Sequence, residues 1–180
     1  MKGKLVPSAV LIVCVALLLA AIPAFGAPQK ATQVSGLECV YVDTEVAPVF
    51  ITDYLMSIKG QVNVNRFYSD DPATFPDGTN TAVLDILVNL RTGMIVWRAD
   101  CVFQPDGVEG TFEGIGRGWF KMDPVTGEFL GSKGVGVFHG TGEYEGLTLK
   151  QDLFASDPSQ CPGEAFDATL WTGFIVPATP

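Results

Sequence analysis

The chain has 180 residues, with 11 basic and 20 acidic side chains and a formal charge of −9. That length leaves too little for two ordinary domains beside a targeting segment. With no basic stripe to offset the acids, it also excludes nucleic acid as a partner.

The first 26 residues open on Lys2 and Lys4, run apolar from Val10 to Ala21 and close on Pro23-Ala24-Phe25-Gly26-Ala27. This is the pattern of a signal peptide cleaved after Gly26, where the peptidase needs small side chains. The rival reading is an uncleaved membrane anchor, since residues 5–25 approach the length of a spanning helix. Pro7 and Pro23 interrupt that run and favour cleavage. Cys14 lacks the small preceding residues of a lipid-modified cysteine. The expected organisation is therefore a signal peptide over 1–26, a short polar lead over 27–36 and one domain over 37–180. Export to the outside, the periplasm or the cell surface follows, with membrane contact only if the first segment stays attached. The mature chain keeps nine bases against 20 acids, a formal charge of −11.

Cys39, Cys101 and Cys161 remain after cleavage. An exported chain meets oxidising conditions, so one disulfide and one leftover thiol are expected, with the pairing open. No histidine or motif lies near any of the three in sequence, which disfavours a catalytic thiol.

Beyond the lead, strand-like runs alternate with turn signals. Residues 37–42 and 54–68 are β-rich, and within the second Met56, Ile58, Val62 and Val64 share one face while Ser57, Lys59, Gln61, Asn63 and Asn65 share the other. Residues 69–80 read as the longest loop, punctuated by two prolines and a glycine. Ala82, Leu84, Ile86, Val88 and Leu90 then alternate along a strand that turns at Arg91-Thr92-Gly93 into residues 94–103. Strands over 109–121, 128–139, 143–155 and 168–176 follow, separated by turns at 123–127 and 140–142 and a second loop over 156–167. About eight antiparallel strands result, in an all-β domain. Alternation fits a barrel or a two-sheet sandwich. The need to dispose of edges, and the glycines at 110, 114, 116 and 118 sharing a face with Phe112 and Phe120, point to the barrel.

Gly114-Ile115-Gly116-Arg117-Gly118 and Phe138-His139-Gly140-Thr141-Gly142-Glu143-Tyr144-Glu145-Gly146 have the most distinctive wording. This stretch, roughly a quarter of the chain, resembles the glycine-spaced strands and Gly-Thr-Gly-x-aromatic turn of the dirigent and allene oxide cyclase type of barrel, and more loosely calycin-like domains. The resemblance implies an eight-stranded antiparallel barrel with a central cavity for an apolar ligand. It carries over no catalytic residue, because none matches position by position.

His139 is the single histidine, and Glu143, Glu145 and Lys150 are its neighbours across the hairpin. With Glu143 and Arg117 it forms the candidate catalytic set, against the plainer reading of a histidine bonding its own turn. No Gly-x-Ser-x-Gly elbow, helix-opening glycine fingerprint or zinc spacing occurs, so neither a cofactor nor a metal is expected. Asp70, Asp71, Asp77 and Asn80 lack the spacing of a calcium loop and read as loop polar groups. Glu109, Glu113, Arg117 and Lys121 share one face and suggest outward cross-strand ion pairs. Trp97, Phe103, Phe112 and Phe120 are the candidate lining of a cavity. The face of Met56, Ile58, Val62 and Val64, with that of Ala82 to Leu90, carries no charge. The expected function is therefore non-catalytic binding of a small apolar molecule or of another exported protein. An isomerase or cyclase working by confinement is the alternative.

Overall fold

The computed structural model describes residues 31–178. The signal peptide, its cleavage site and the start of the polar lead lie outside them. Nine antiparallel strands follow in chain order: β1 Thr32–Asp43, β2 Val49–Thr52, β3 Leu55–Ser69, β4 Gly78–Asn89, β5 Met94–Pro105, β6 Phe112–Met122, β7 Phe129–Gly140, β8 Leu147–Ser156 and β9 Asp167–Pro177. Each strand from β3 to β9 pairs with the next, and β1 closes the ring by pairing with both β9 and β3. The domain is an eight-stranded barrel, and closure removes the open edges that a sandwich would leave. β2 is the unforeseen element, a short outer strand on the start of β3.

Side-chain chemistry sets the hairpins. Asn89 Oδ1 accepts from the backbone N–H groups of Arg91 and Thr92, and Asp123 Oδ1 accepts from those of Val125 and Thr126. Each bends the chain into a turn whose exit glycine, Gly93 or Gly127, has a positive φ. The 123–127 turn thus falls where its proline and glycine place it.

β3 departs from simple alternation. Ile58 pairs with Ile86 and Lys59 with Asp85, but Gln61 pairs with Leu84, so Gly60 is extra in the ladder. Its φ of 72° is the conformation a bulge glycine supplies. Met56 and Ile58 precede the bulge, opposite Val88 and Ile86. Past it the faces exchange: Gln61, Asn63 and Asn65 sit opposite the inward Leu84, Ala82 and Asn80, while Val62 and Val64 sit opposite the exposed Val83 and Thr81. The apolar inner face expected over residues 56–64 is therefore apolar in its first half and amide-bearing in its second.

One half of the interior is solid. Phe67, Phe103, Phe112 and Trp171 point inward near one end, and Phe75, from the loop between β3 and β4, fills the space among them at 1% exposure. Ring centroids lie 3.8 Å apart for Phe67 and Trp171 and 5.4 Å apart for Phe75 and Phe103. Hydrogen bonds within the loop hold Phe75 in place, since the N–H groups of Thr74 and Phe75 donate to the Asp71 carbonyl, and Ser69 N–H donates to Asp77 Oδ1. On the outside, the segment after β8 crosses β1 and is pinned by a Cys39–Cys161 disulfide, packed with Ala168. Bridging residues 122 apart removes roughly 4–5 kcal/mol of unfolded-chain freedom on the loop-entropy account.

Although Phe75 belongs to a loop, it behaves energetically as a core residue. Phe75→Ala should cost about 3–5 kcal/mol of unfolding free energy in denaturant titrations. A loss below about 1 kcal/mol, the size of an ordinary surface change, would show that the loop does not seal the barrel.

Candidate functional site

Above the aromatic floor the barrel is hollow. A cavity of about 370 Å³ runs toward the opposite end, within the range of about 300–1,000 Å³ usual for small-molecule sites. The shape follows from side-chain size. Gly118 and Gly134 are paired across β6 and β7, and a Cβ on either would stand 2.6 or 2.8 Å from the Trp97 indole. The glycine spacing is thus the bed on which Trp97 lies, with Phe120 stacked beside it at 6.3 Å between centroids. Ala82 and Ala99 keep the middle of the wall thin, and Leu84, Ile86, Ile95 and Leu153 complete its apolar side.

The other side is polar, and its centre is Glu38 on β1. Glu38 alternates inward with Val34 and Val40 and is 6% exposed. Asn65 Nδ2 donates to Glu38 Oε1 at 2.5 Å and Asn80 Nδ2 donates to the same oxygen at 2.8 Å. The two amides come from β3 and β4, opposite each other in the register that the Gly60 bulge creates. Gln61, Asn63, Gln151 and Thr169 extend the polar wall, while Asp43, Asp167 and Lys133 also line the cavity. Three buried polar atoms along it have no hydrogen-bond partner among the described residues: Asn65 Oδ1, Asn80 Oδ1 and Trp97 Nε1.

Burial pushes the Glu38 carboxyl above its ordinary pKa; the two amide donors pull it down, and the nearby Asp167 carboxyl pushes it up again. Burial raises Asp167 as well. Cys101, the free cysteine, lines the same cavity, and burial followed by the charge of Glu38 pushes its thiol up to about 12. It therefore stays a thiol at neutral pH, without the thiolate that nucleophilic chemistry needs.

The residues singled out from the sequence divide by location. Trp97 and Phe120 line the cavity, whereas Phe103 and Phe112 belong to the floor beneath it. His139 is exposed on the outer face, with Nδ1 3.4 Å from Thr148 Oγ1. Arg117 is exposed across from Arg98, and Glu143 is exposed in a 3-10 helix over Gly142–Tyr144. None of these three lines the cavity. The ion pairs among the described residues are Arg66–Asp106 and Arg98–Asp100, so Glu113 and Arg117 face outward without the cross-strand pairs expected of them. Of the loop polar groups, Asp71 and Asp77 bond their own turn, and Asn80 faces inward.

Sequence reasoning missed Glu38 and the amides. The available signal was Gly60 within a β-rich run, a mark of a bulge that exchanges faces. No family model matches the chain, and no curated protein or solved structure matches it either.

An acid whose pKa is higher in the folded than in the unfolded state binds its proton more tightly when folded. Stability then falls as pH rises above the unfolded value near 4.5 and on through the raised one. Glu38→Gln keeps an oxygen for both amides and cannot ionise. Its melting temperature relative to wild type should therefore climb as the pH rises above about 4.5. A difference that stays flat or falls as the pH rises from there to neutrality would contradict the assignment of Glu38 as a desolvated carboxyl.

Proposed function

We propose that this is a binding barrel that holds one small, largely apolar molecule, and that it works as an exported protein. The observation that carries the reading is the division of the interior, with a solid aromatic floor below and an open volume of about 370 Å³ above. A barrel kept only for stability gains from filling its interior, since unfilled space forfeits dispersion contacts. The disulfide supports export, because such bonds persist in oxidising compartments. Among the described residues no helix is long and apolar enough to cross a membrane.

One observation favours a second reading, an isomerase or cyclase. Polar groups do face the cavity, and Glu38 is a buried carboxyl with a raised pKa, the property by which enzymes prepare a general acid. Binding is preferred because it needs only the cavity. Catalysis needs in addition a substrate atom brought to Glu38. The two part on the fate of the bound molecule, which leaves a binding protein unchanged and leaves an enzyme rearranged.

Titration of the folded protein with the neutral, polarity-sensitive dye 1-aminonaphthalene should give saturable emission enhancement at one dye per chain. Leu84→Trp, which enlarges a side chain on the cavity wall, should weaken it at least about tenfold. Absence of saturable binding by folded wild-type protein would overturn the cavity reading. A ligand recovered from protein isolated from its own source, compared by nuclear magnetic resonance before and after rebinding, decides between holding and converting.

A further inference from the structure

The inner end of the cavity specifies its ligand more narrowly than size does. A carboxylate oxygen accepts hydrogen bonds and cannot donate them, so Asn65 and Asn80 must both turn their nitrogens toward Glu38 Oε1. Their carbonyl oxygens are thereby committed to the other side. Both oxygens are buried without a partner, in residues 9% and 8% exposed, and both are too enclosed for even a water in the cavity to reach them. No described side chain donates to Glu38 Oε2, and it is not among the enclosed unpartnered atoms, so the acceptor that the inner end presents is this one carboxyl oxygen, held by the two amides on Oε1. An acceptor held in a largely apolar cavity without a protein donor gives up much of its solvation, and a ligand hydrogen brought to Glu38 Oε2 restores it. A carboxylate brought there would set lone pairs against lone pairs, close to Glu38 and Asp167. The remaining walls are Leu84, Ile86, Ile95, Trp97 and Leu153, which ask for an apolar body. At about 30 Å³ for each water-sized unit, the volume suits a molecule of about a dozen heavy atoms.

We propose that, with Glu38 ionised, the cavity selects molecules with an apolar body and a hydrogen-bond donor at the inner end, a hydroxyl or a primary amine, held by Glu38 Oε2 while Asn65 and Asn80 fix the carboxylate, and that it discriminates against carboxylates. This rests on the cavity reading above and adds the chemistry of the head group. Lys133 is the single basic side chain among the described lining residues, so nothing at the inner end offsets a second negative charge.

The test, run at a pH above the rise in the Glu38→Gln melting comparison so that Glu38 is ionised, displaces 1-aminonaphthalene from the full-length protein with decanol, decylamine, decyl methyl ether, decyltrimethylammonium and decanoate. The ether matches the alcohol without its donor. The quaternary salt matches the charge of the amine without its N–H, which separates donor recognition from attraction to an acidic surface. Decanol should compete about ten- to a hundredfold better than the ether and than decanoate, or decylamine should do so relative to decyltrimethylammonium and decanoate. The arm that shows the preference names the head group. Glu38→Gln, with its fold checked by circular dichroism, should shrink that preference about tenfold, because a side-chain N–H replaces an acceptor. Saturable 1-aminonaphthalene binding with equal competition by donor and non-donor compounds overturns the head-group assignment and leaves the cavity standing. Failure of 1-aminonaphthalene to bind overturns both.

Discussion

A single extra residue in β3 governs what the barrel can hold. Side chains on a strand alternate with a period of two, so one inserted residue moves everything after it to the opposite face. Gly60 supplies that residue at a positive φ that costs glycine little. Before it, Ile58 faces the interior beside Ile86; after it, Gln61, Asn63 and Asn65 face the interior and Val62 and Val64 turn outward. Without the bulge the wall beside Glu38 would be valine, and its buried carboxyl would lose a donor. With it, Asn65 meets Asn80 across the β3–β4 ladder, and both reach one oxygen of Glu38. Burying a polar group without a partner is expensive, so register, bulge and carboxyl depend on one another.

Packing determines where the space lies. Bulky rings gather at the end where the 70–77 loop can add Phe75 from outside the strands, and the barrel is solid there. Toward the other end the paired glycines of β6 and β7 give their room to Trp97, and alanines keep the rest of the wall thin. The disulfide adds a constraint from outside. Cys39 follows Glu38 on β1, and its partner Cys161 lies in the segment leading into Asp167 and β9. The covalent link thus anchors the connection that brings a second carboxyl to the cavity.

Much of the architecture was legible because it rests on local chemistry. The turns at 91–93 and 123–127 are written in asparagine, aspartate, proline and glycine, and the inward run of Ala82, Leu84, Ile86 and Val88 follows strict alternation. Closure was inferred from the need to remove edges, and β1 pairing with both β3 and β9 meets that need. The outer strand β2 was not legible, since four residues with every side chain exposed carry no alternation to read. The polar site was hidden for a different reason. Alternation projected across Gly60 placed the amides on the solvent side, and Glu38, Asn65 and Asn80 are far apart in sequence. Their meeting is a matter of register, which no local pattern displays. His139, Glu143 and Arg117 drew notice as reactive types, yet they lie on the exposed outer surface and its turns.

The account stands on the amides of Asn65 and Asn80 being buried and bonded to the Glu38 carboxyl. Side-chain amide resonances in a two-dimensional nitrogen-15 spectrum of the wild-type protein, assigned with Glu38→Gln for comparison, report this directly. For both asparagines the account predicts one amide proton shifted downfield, exchanging slowly with solvent, and moving when Glu38 is titrated or replaced. Solvent-like shifts with rapid exchange for Asn65, unaltered in Glu38→Gln, would show that β3 does not exchange faces at Gly60 and would contradict the account.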